Sequence, residues 1–189
     1  MMPAVSPSSQ PTLWRTCRVL ANRKRLQILA FLIRQPNQTV SAVAERMSLS
    51  MPATSQYLRA LEARGLLTCR RVGRRVEYRL ADGRSEGSAD QIVAALRRVL
   101  GRGGDRFEPL FKLATAFTHP RRLEVFRVIT KGANSFNKIQ AATRIPSPAL
   151  ERQLEKLEAR GFIAGRRGAY AARTQGDPFA RALARLAIA

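Results

Sequence analysis

The 189-residue chain is poor in thiols and imidazoles: it has two cysteines, Cys17 and Cys69, and one histidine, His119. These make neither a disulfide framework nor a four-ligand zinc set, so no metal and no cofactor is expected. Long hydrophobic runs are missing too. The longest, Ile28 to Ile33, has six residues, against the ~20 that a helix needs to cross a bilayer, so no membrane partner is expected. No nucleophile–base pair, glycine-rich phosphate loop or pair of carboxylates at a cleft is visible, which argues against an enzyme. Aromatic residues make up 6% of the chain, and acidic ones are scarce: 13 Asp and Glu stand against 34 Lys and Arg, a formal net charge of +21. That balance calls for a polyanionic partner. An apolar content of 45% is too high for a disordered chain.

What is present is a repeat. Leu20 to Leu29 matches Phe117 to Phe126, and Leu58 to Leu67 matches Leu154 to Ile163 through a shared Leu-Glu-Ala-Arg-Gly. The spacing of Asp90, Ile92, Leu96 and Val99 recurs in Asp177, Phe179, Leu183 and Leu186, which predicts a closing amphipathic helix in each copy. Glycines at 101, 103 and 104 mark a boundary between copies. The expected division is a flexible Pro/Ser-rich tail over 1–12, a first unit over 13–104 and a second over 105–189. Both units are basic, at +12 and +9.

In the first unit, Leu13, Cys17 and Leu20, then Leu26, Leu29 and Ile33, follow helical spacing with a bend at Ala21 to Arg23. Thr39 is placed to cap a short helix that buries Val40, Val43, Ala44 and Met47 and stops near Ser48. Ser50 caps a second helix, entered through Pro52 and carrying Tyr57, Leu58 and Leu61 up to Gly65. Two short helices joined by a tight turn result. Alternation at Leu67, Cys69 and Arg71, then Val76, Tyr78 and Leu80, around Val72-Gly73-Arg74 predicts a hairpin. The fold class is mainly α with small β-hairpin wings. Cys17 and Cys69 are expected to be buried small hydrophobes, His119 to be structural, and Trp14 and Phe111 to be equivalent core or interface residues. Arg23 to Arg25 and Arg121-Arg122 recur at equivalent bends, where some would contact a nucleic-acid backbone and others helix ends.

These residues carry a resemblance. Leu49 to Leu67 resembles the recognition helix of ArsR-type winged helix-turn-helix regulators, and Arg70 to Leu80 resembles their wing. His119-Pro120-Arg121-Arg122-Leu123 resembles the family's His-Pro-x-Arg-Leu signature. The resemblance implies a tandem winged helix-turn-helix fold, double-stranded DNA as partner, and a repressor that occupies a promoter element; the Pro/Ser-rich tail, with no basic head or apolar stretch, reads as that of a cytoplasmic protein, here expected to be nucleoid-associated. It also implies that Ser50, Met51, Thr54, Ser55, Gln56 and Arg59 face the major groove or its phosphates. Gln56 and Arg59 have the side chains for bidentate base contacts. Arg74 and Arg75 at the wing tip would reach a minor groove or the backbone, and Arg70 and Arg71 would track phosphate. The Cys-x-Cys motif of the family's metal sensors is absent.

The second unit departs from this pattern. Leu150, Glu151 and Glu155 stand where the first unit has Thr54, Ser55 and Arg59, its hairpin is about four residues shorter, and Arg74-Arg75 has no counterpart. Arg152, Arg166 and Arg167 remain as candidate DNA contacts, but the first unit is the principal reader. ArsR-type proteins pair through their first and last helices. One chain with two such sets implies an intramolecular pseudo-dimer, Leu13–Leu20 and Asp90–Leu100 packing on Leu110–Phe117 and Asp177–Ile188. The alternative is a homodimer in which the second unit supplies only interface. A rival function is non-specific architectural DNA binding, which the charge favours. RNA recognition is disfavoured by the lack of stacking motifs.

Overall fold

The computed structural model describes residues 12–83, 87–101 and 107–189. The expected tail, apart from Thr12, and the expected boundary near residue 104 lie outside the described residues. The first half begins with α1 (Leu13–Leu20) and α2 (Arg23–Arg34). Asn22 ends the bend between them, its side-chain oxygen accepting from the Arg25 N–H at 3.0 Å. A two-residue strand β1 (Gln38–Thr39) leads into α3 (Val40–Met47), and Ser48, in the left-handed region at φ 51°, closes that helix. Next comes α4 (Met51–Glu62), with Pro52 in its first turn and the Ser50 hydroxyl accepting from the Ala53 N–H. Strands β2 (Leu67–Val72) and β3 (Arg75–Leu80) form the wing, and β1 adds to its other edge in the order β1-β3-β2. The two-residue turn holds Gly73 at φ 60°, a conformation that glycine reaches without steric cost. Helix α5 (Ser88–Leu100) closes this half.

The second half repeats the order. Helix α6 (Phe107–Ala114) and a 3-10 turn (Thr115–Phe117) precede α7 (Pro120–Thr130), α8 (Phe136–Thr143) and α9 (Ser147–Ala159). Strands β4 (Ile163–Arg166) and β5 (Ala169–Ala172) make a shorter hairpin, and α10 (Pro178–Ile188) ends the chain. Arg167 and Gly168 both have positive φ, as a type I′ hairpin turn requires. Positions 96 residues apart do the same work in the two halves. Thr39 and Ser135 cap α3 and α8, Ser48 and Arg144 end those helices in the left-handed conformation, and Gly65 and Gly161 turn the chain out of α4 and α9 at positive φ.

The core runs through both halves. Helix α1 packs on α6 and on the 3-10 turn, α2 packs on α6, and α5 packs on α10. Cys17, Leu20, Val93, Leu96, Phe117, Phe179 and Leu183 are fully buried in this region. At about 1.5–3 kcal/mol for each large apolar side chain removed from water, the seam between the halves is a main source of stability. Under α9, Phe117, Phe126 and Phe162 meet edge to face, with ring centroids 4.7–6.1 Å apart. The first half has aliphatic Leu20, Leu29 and Leu66 at the matching places, all fully buried. Among the described residues no helix is long and apolar enough to cross a membrane, and no group of three His, Cys, Asp or Glu could hold a metal ion.

Candidate nucleic-acid interface

Helix α4 has two faces fixed by its sequence. Thr54, Leu58 and Leu61 form the inward stripe and are completely buried, while Met51, Gln56 and Arg59 are exposed and Ser55 is half-exposed. Thr54 therefore corrects its sequence-based assignment: its hydroxyl donates to the Ser50 carbonyl at 2.9 Å and does not reach the surface. The cause is register, since residue 54 lies one turn before Leu58 on the same side of the helix. Leu150 of α9 is likewise fully buried, so the exchange of Thr54 for Leu150 alters packing rather than an outward surface. Ser50 accepts from the Ala53 N–H, and its own hydroxyl proton is left to donate outward.

The wing separates its arginines. Strand register sets Arg70 opposite Glu77, Arg71 opposite Val76 and Val72 opposite Arg75. Arg70 donates from Nε and Nη2 to the Glu77 carboxylate at 3.2 and 3.1 Å. Its charge is thus partly offset within the sheet, unlike those of exposed Arg71, Arg74 and Arg75, which make no ion pair among the described residues. Between the wing and the starts of α3 and α4 runs a groove lined by Thr39, Val40, Ser41, Met51, Arg75 and Val76. The reading helix and the wing therefore border one groove, as two elements gripping one duplex would. The hydroxyls of Thr39 and Ser41, 2.9 Å apart, are additions that sequence reasoning missed. Thr39 looked only like a cap, and nothing local signals that α3 opens onto the wing.

The basic clusters at the two bends mostly serve the fold. Arg25 donates to the Val19 carbonyl at 3.2 Å, and Arg122 donates to the Thr115 carbonyl at 2.6 Å and to the Thr118 hydroxyl at 2.8 Å, so both neutralise the end of the preceding helical segment. Burial lowers the pKa of each guanidinium, most directly for buried Arg122, whose neighbour Arg160 adds to the effect. Lys24 reaches the Met47 carbonyl at the end of α3. Arg23 instead bridges the halves, donating to both carboxylate oxygens of Glu108 at 2.7 and 3.0 Å and lying over the Phe111 ring. Trp14, the counterpart of Phe111, is half-buried under Arg15 and Arg18.

His119 is structural. Its Nδ1 accepts from the Arg121 N–H at 3.1 Å and caps α7, as Asn22 caps α2. Partial burial, with Arg122, Arg121, Lys156 and Arg18 around it, holds its pKa below the ordinary 6.5. Cys17 is buried, and desolvation pushes its thiol up to about 12. Cys69 corrects its expected burial: it is exposed, because β2 leaves the body after Leu67 and projects as the wing. Its thiol donates to the Glu62 carboxylate at 2.8 Å, which raises its pKa.

The second unit's outward face is different in kind. Glu151, Arg152, Glu155 and Lys156 are exposed on α9, and Arg152 donates back to the Pro148 carbonyl. Glu158 accepts from the Gly165 N–H, the position matching the thiol that Glu62 holds. Arg166 and Arg167 stand exposed at the tip of the short hairpin.

This fold and surface define a winged helix-turn-helix protein. Residues 22–75 match the family model described as "MarR family". The chain is 40% identical over 67 residues to "HTH-type transcriptional regulator Rv0324" of Mycobacterium tuberculosis, a match covering 35% of this chain and 29% of that protein. It is 34% identical over 89 residues to "Nodulation protein NolR" of Rhizobium meliloti, covering 47% of this chain and 69% of that one. A solution structure of a homodimeric winged helix-turn-helix DNA-binding domain from Mycobacterium bovis, described as a possible ArsR-family transcriptional regulator, is 31% identical with a TM-score of 0.39. That match covers 54% of this chain and 91% of the solved one. Residues 22–75 thus form a winged helix-turn-helix domain of the MarR family, a class of DNA-binding transcription regulators and not of enzymes.

Proposed function

We propose that this chain is a sequence-specific regulator of ArsR type that represses by occupying double-stranded DNA at a promoter. The observation that carries this reading is the outward face of α4, where Ser55, Gln56 and Arg59 stand beside a wing whose Arg71, Arg74 and Arg75 make no ion pair among the described residues. Gln56 and Arg59 can each make two hydrogen bonds to a base edge, while the wing cations and the Ser50 hydroxyl suit phosphates. Met51, 49% exposed, offers an apolar contact to a thymine methyl. Arg152, Arg166 and Arg167 would add backbone contacts from the second unit.

The tandem reading, 13–104 and 105–189, draws support from the repeated caps and turns. A pseudo-dimer within one chain draws support from the packing of α1 on α6 and of α5 on α10. This packing sets first and last helices against their counterparts within one chain, as the two subunits of a dimer would set theirs. Light scattering should give the mass of one chain, and a stable dimer would contradict this part. The regulatory role is tested by chromatin immunoprecipitation together with deletion of the gene. Discrete promoter peaks, with transcripts from those promoters rising on deletion, are expected. Even coverage without transcript changes would favour the architectural reading, to which the net charge of +21 lends weight.

A further inference from the structure

We propose that the DNA sequence recognised by this chain lacks two-fold symmetry, so that one chain binds it in one orientation only. The inference rests on the proposed function and on the two reading helices being held in the same register. A dimer of identical subunits shows the same side chains to both half-sites and selects an inverted repeat. Here the helices start alike, with Pro52 and Pro148 in their first turns. They also bury the same stripe: Thr54, Leu58 and Leu61 match Leu150, Leu154 and Leu157, all at most 2% exposed. Matching inward residues fix matching outward positions, and there the chemistry changes. Ser55, Gln56 and Arg59 become Glu151, Arg152 and Glu155.

Each exchange alters which base the position can take. The Gln56 amide pairs with adenine and the Arg152 guanidinium with guanine; Arg59 donates to guanine, whereas Glu155 can only accept, as from the cytosine amino group. Glu151 and Glu155 also repel phosphates that Ser55 and Arg59 tolerate or attract. The wings differ in reach: β2 and β3 are six residues each and end in Arg74 and Arg75, while β4 and β5 are four residues each and end in Arg166 and Arg167. A half-site suited to α4 is therefore a poor one for α9. Offering it to α9 forfeits the contact of Arg59 and costs about ten- to a hundredfold in affinity. An inverted repeat gains nothing from its second arm, and a bound chain acquires a direction along the promoter.

The test is selection by the full chain from duplexes randomised over about 30 base pairs, enough for two half-sites a helical turn apart. An asymmetric motif, bound by one chain per duplex, is expected. A motif that is an inverted repeat, bound by one chain or two, would overturn the proposal. Two variants sharpen the result. Arg59→Ala should relax selection on one side of the motif alone, and relaxation on both sides counts against the proposal. The triple exchange Glu151→Ser, Arg152→Gln and Glu155→Arg lies wholly on the exposed face and should shift selection toward an inverted repeat of the half that Arg59→Ala relaxes; an unchanged motif counts against it. If no motif is enriched, sequence-specific reading itself fails, and this proposal falls with it.

Discussion

Arg59 and Glu155 are the ninth residues of α4 and α9, both exposed, and they carry opposite charge at the same turn of the two helices. Base reading should therefore be concentrated in the first. Gln56→Ala and Arg59→Ala should each cost about 1–3 kcal/mol on a specific duplex, and Arg152→Ala much less, in fluorescence-anisotropy titrations. Equal losses from all three would mean that α9 reads as much as α4 does.

Arg74 and Arg75 stand at the wing tip with no ion pair among the described residues, whereas Arg70 shares its charge with Glu77. Replacing Arg74 and Arg75 by glutamine should reduce the slope of log affinity against log salt by up to about two. Arg70→Gln should change the slope less, since part of its charge is already offset. A slope unaffected by the double change would take the wing off the DNA.

His119 caps α7 only while Nδ1 is unprotonated, and its folded pKa lies below 6.5 through partial burial and four neighbouring cations. Between the folded pKa and 6.5 the unfolded chain binds more protons, so this contribution is present above 6.5 and is lost as pH falls through the folded value. His119→Asn installs the side chain that caps α2 at the matching position, with no titrating group. Thermal melts between about pH 7 and pH 5 should fall more steeply for the wild type than for His119→Asn. Parallel curves would mean that the histidine carries no such linkage.

The two thiols should separate cleanly in alkylation of the native protein. Cys17, buried and pushed up to about 12, should not react until the chain unfolds. Cys69 should react, but slowly for an exposed thiol, because Glu62 accepts its proton and disfavours the thiolate. Glu62→Gln should speed its labelling, and an unchanged rate would show that the hydrogen bond is not kept in solution.

Local chemistry made most of the fold readable. Thr39 and Ser50 cap the helices they were expected to cap, the bend falls at Ala21 and Asn22, and the hairpin turns at Gly73. These features depend on near neighbours in sequence. Thr54 departs from the outward place that the resemblance implies, because its spacing to Leu58 and Leu61 puts it on the buried stripe. Cys69 departs from its expected burial because alternation tells one strand face from the other but not how far a wing stands off the body. The pairing of Arg23 with Glu108 joins residues 85 apart in sequence, and no local pattern announces it. The groove joining Thr39 and Ser41 to Arg75 and Val76 is hidden for the same reason.

The central claim is recognition of sequence rather than of charge alone. It is tested most directly by the affinity of the purified chain for DNA from upstream of its own gene, against a shuffled duplex of equal composition, over a range of salt. A preference of about a hundredfold or more that persists as salt rises is the expected result. Equal binding to both duplexes that collapses together with salt would contradict it for this promoter, leaving phosphate attraction as the whole of the interaction there.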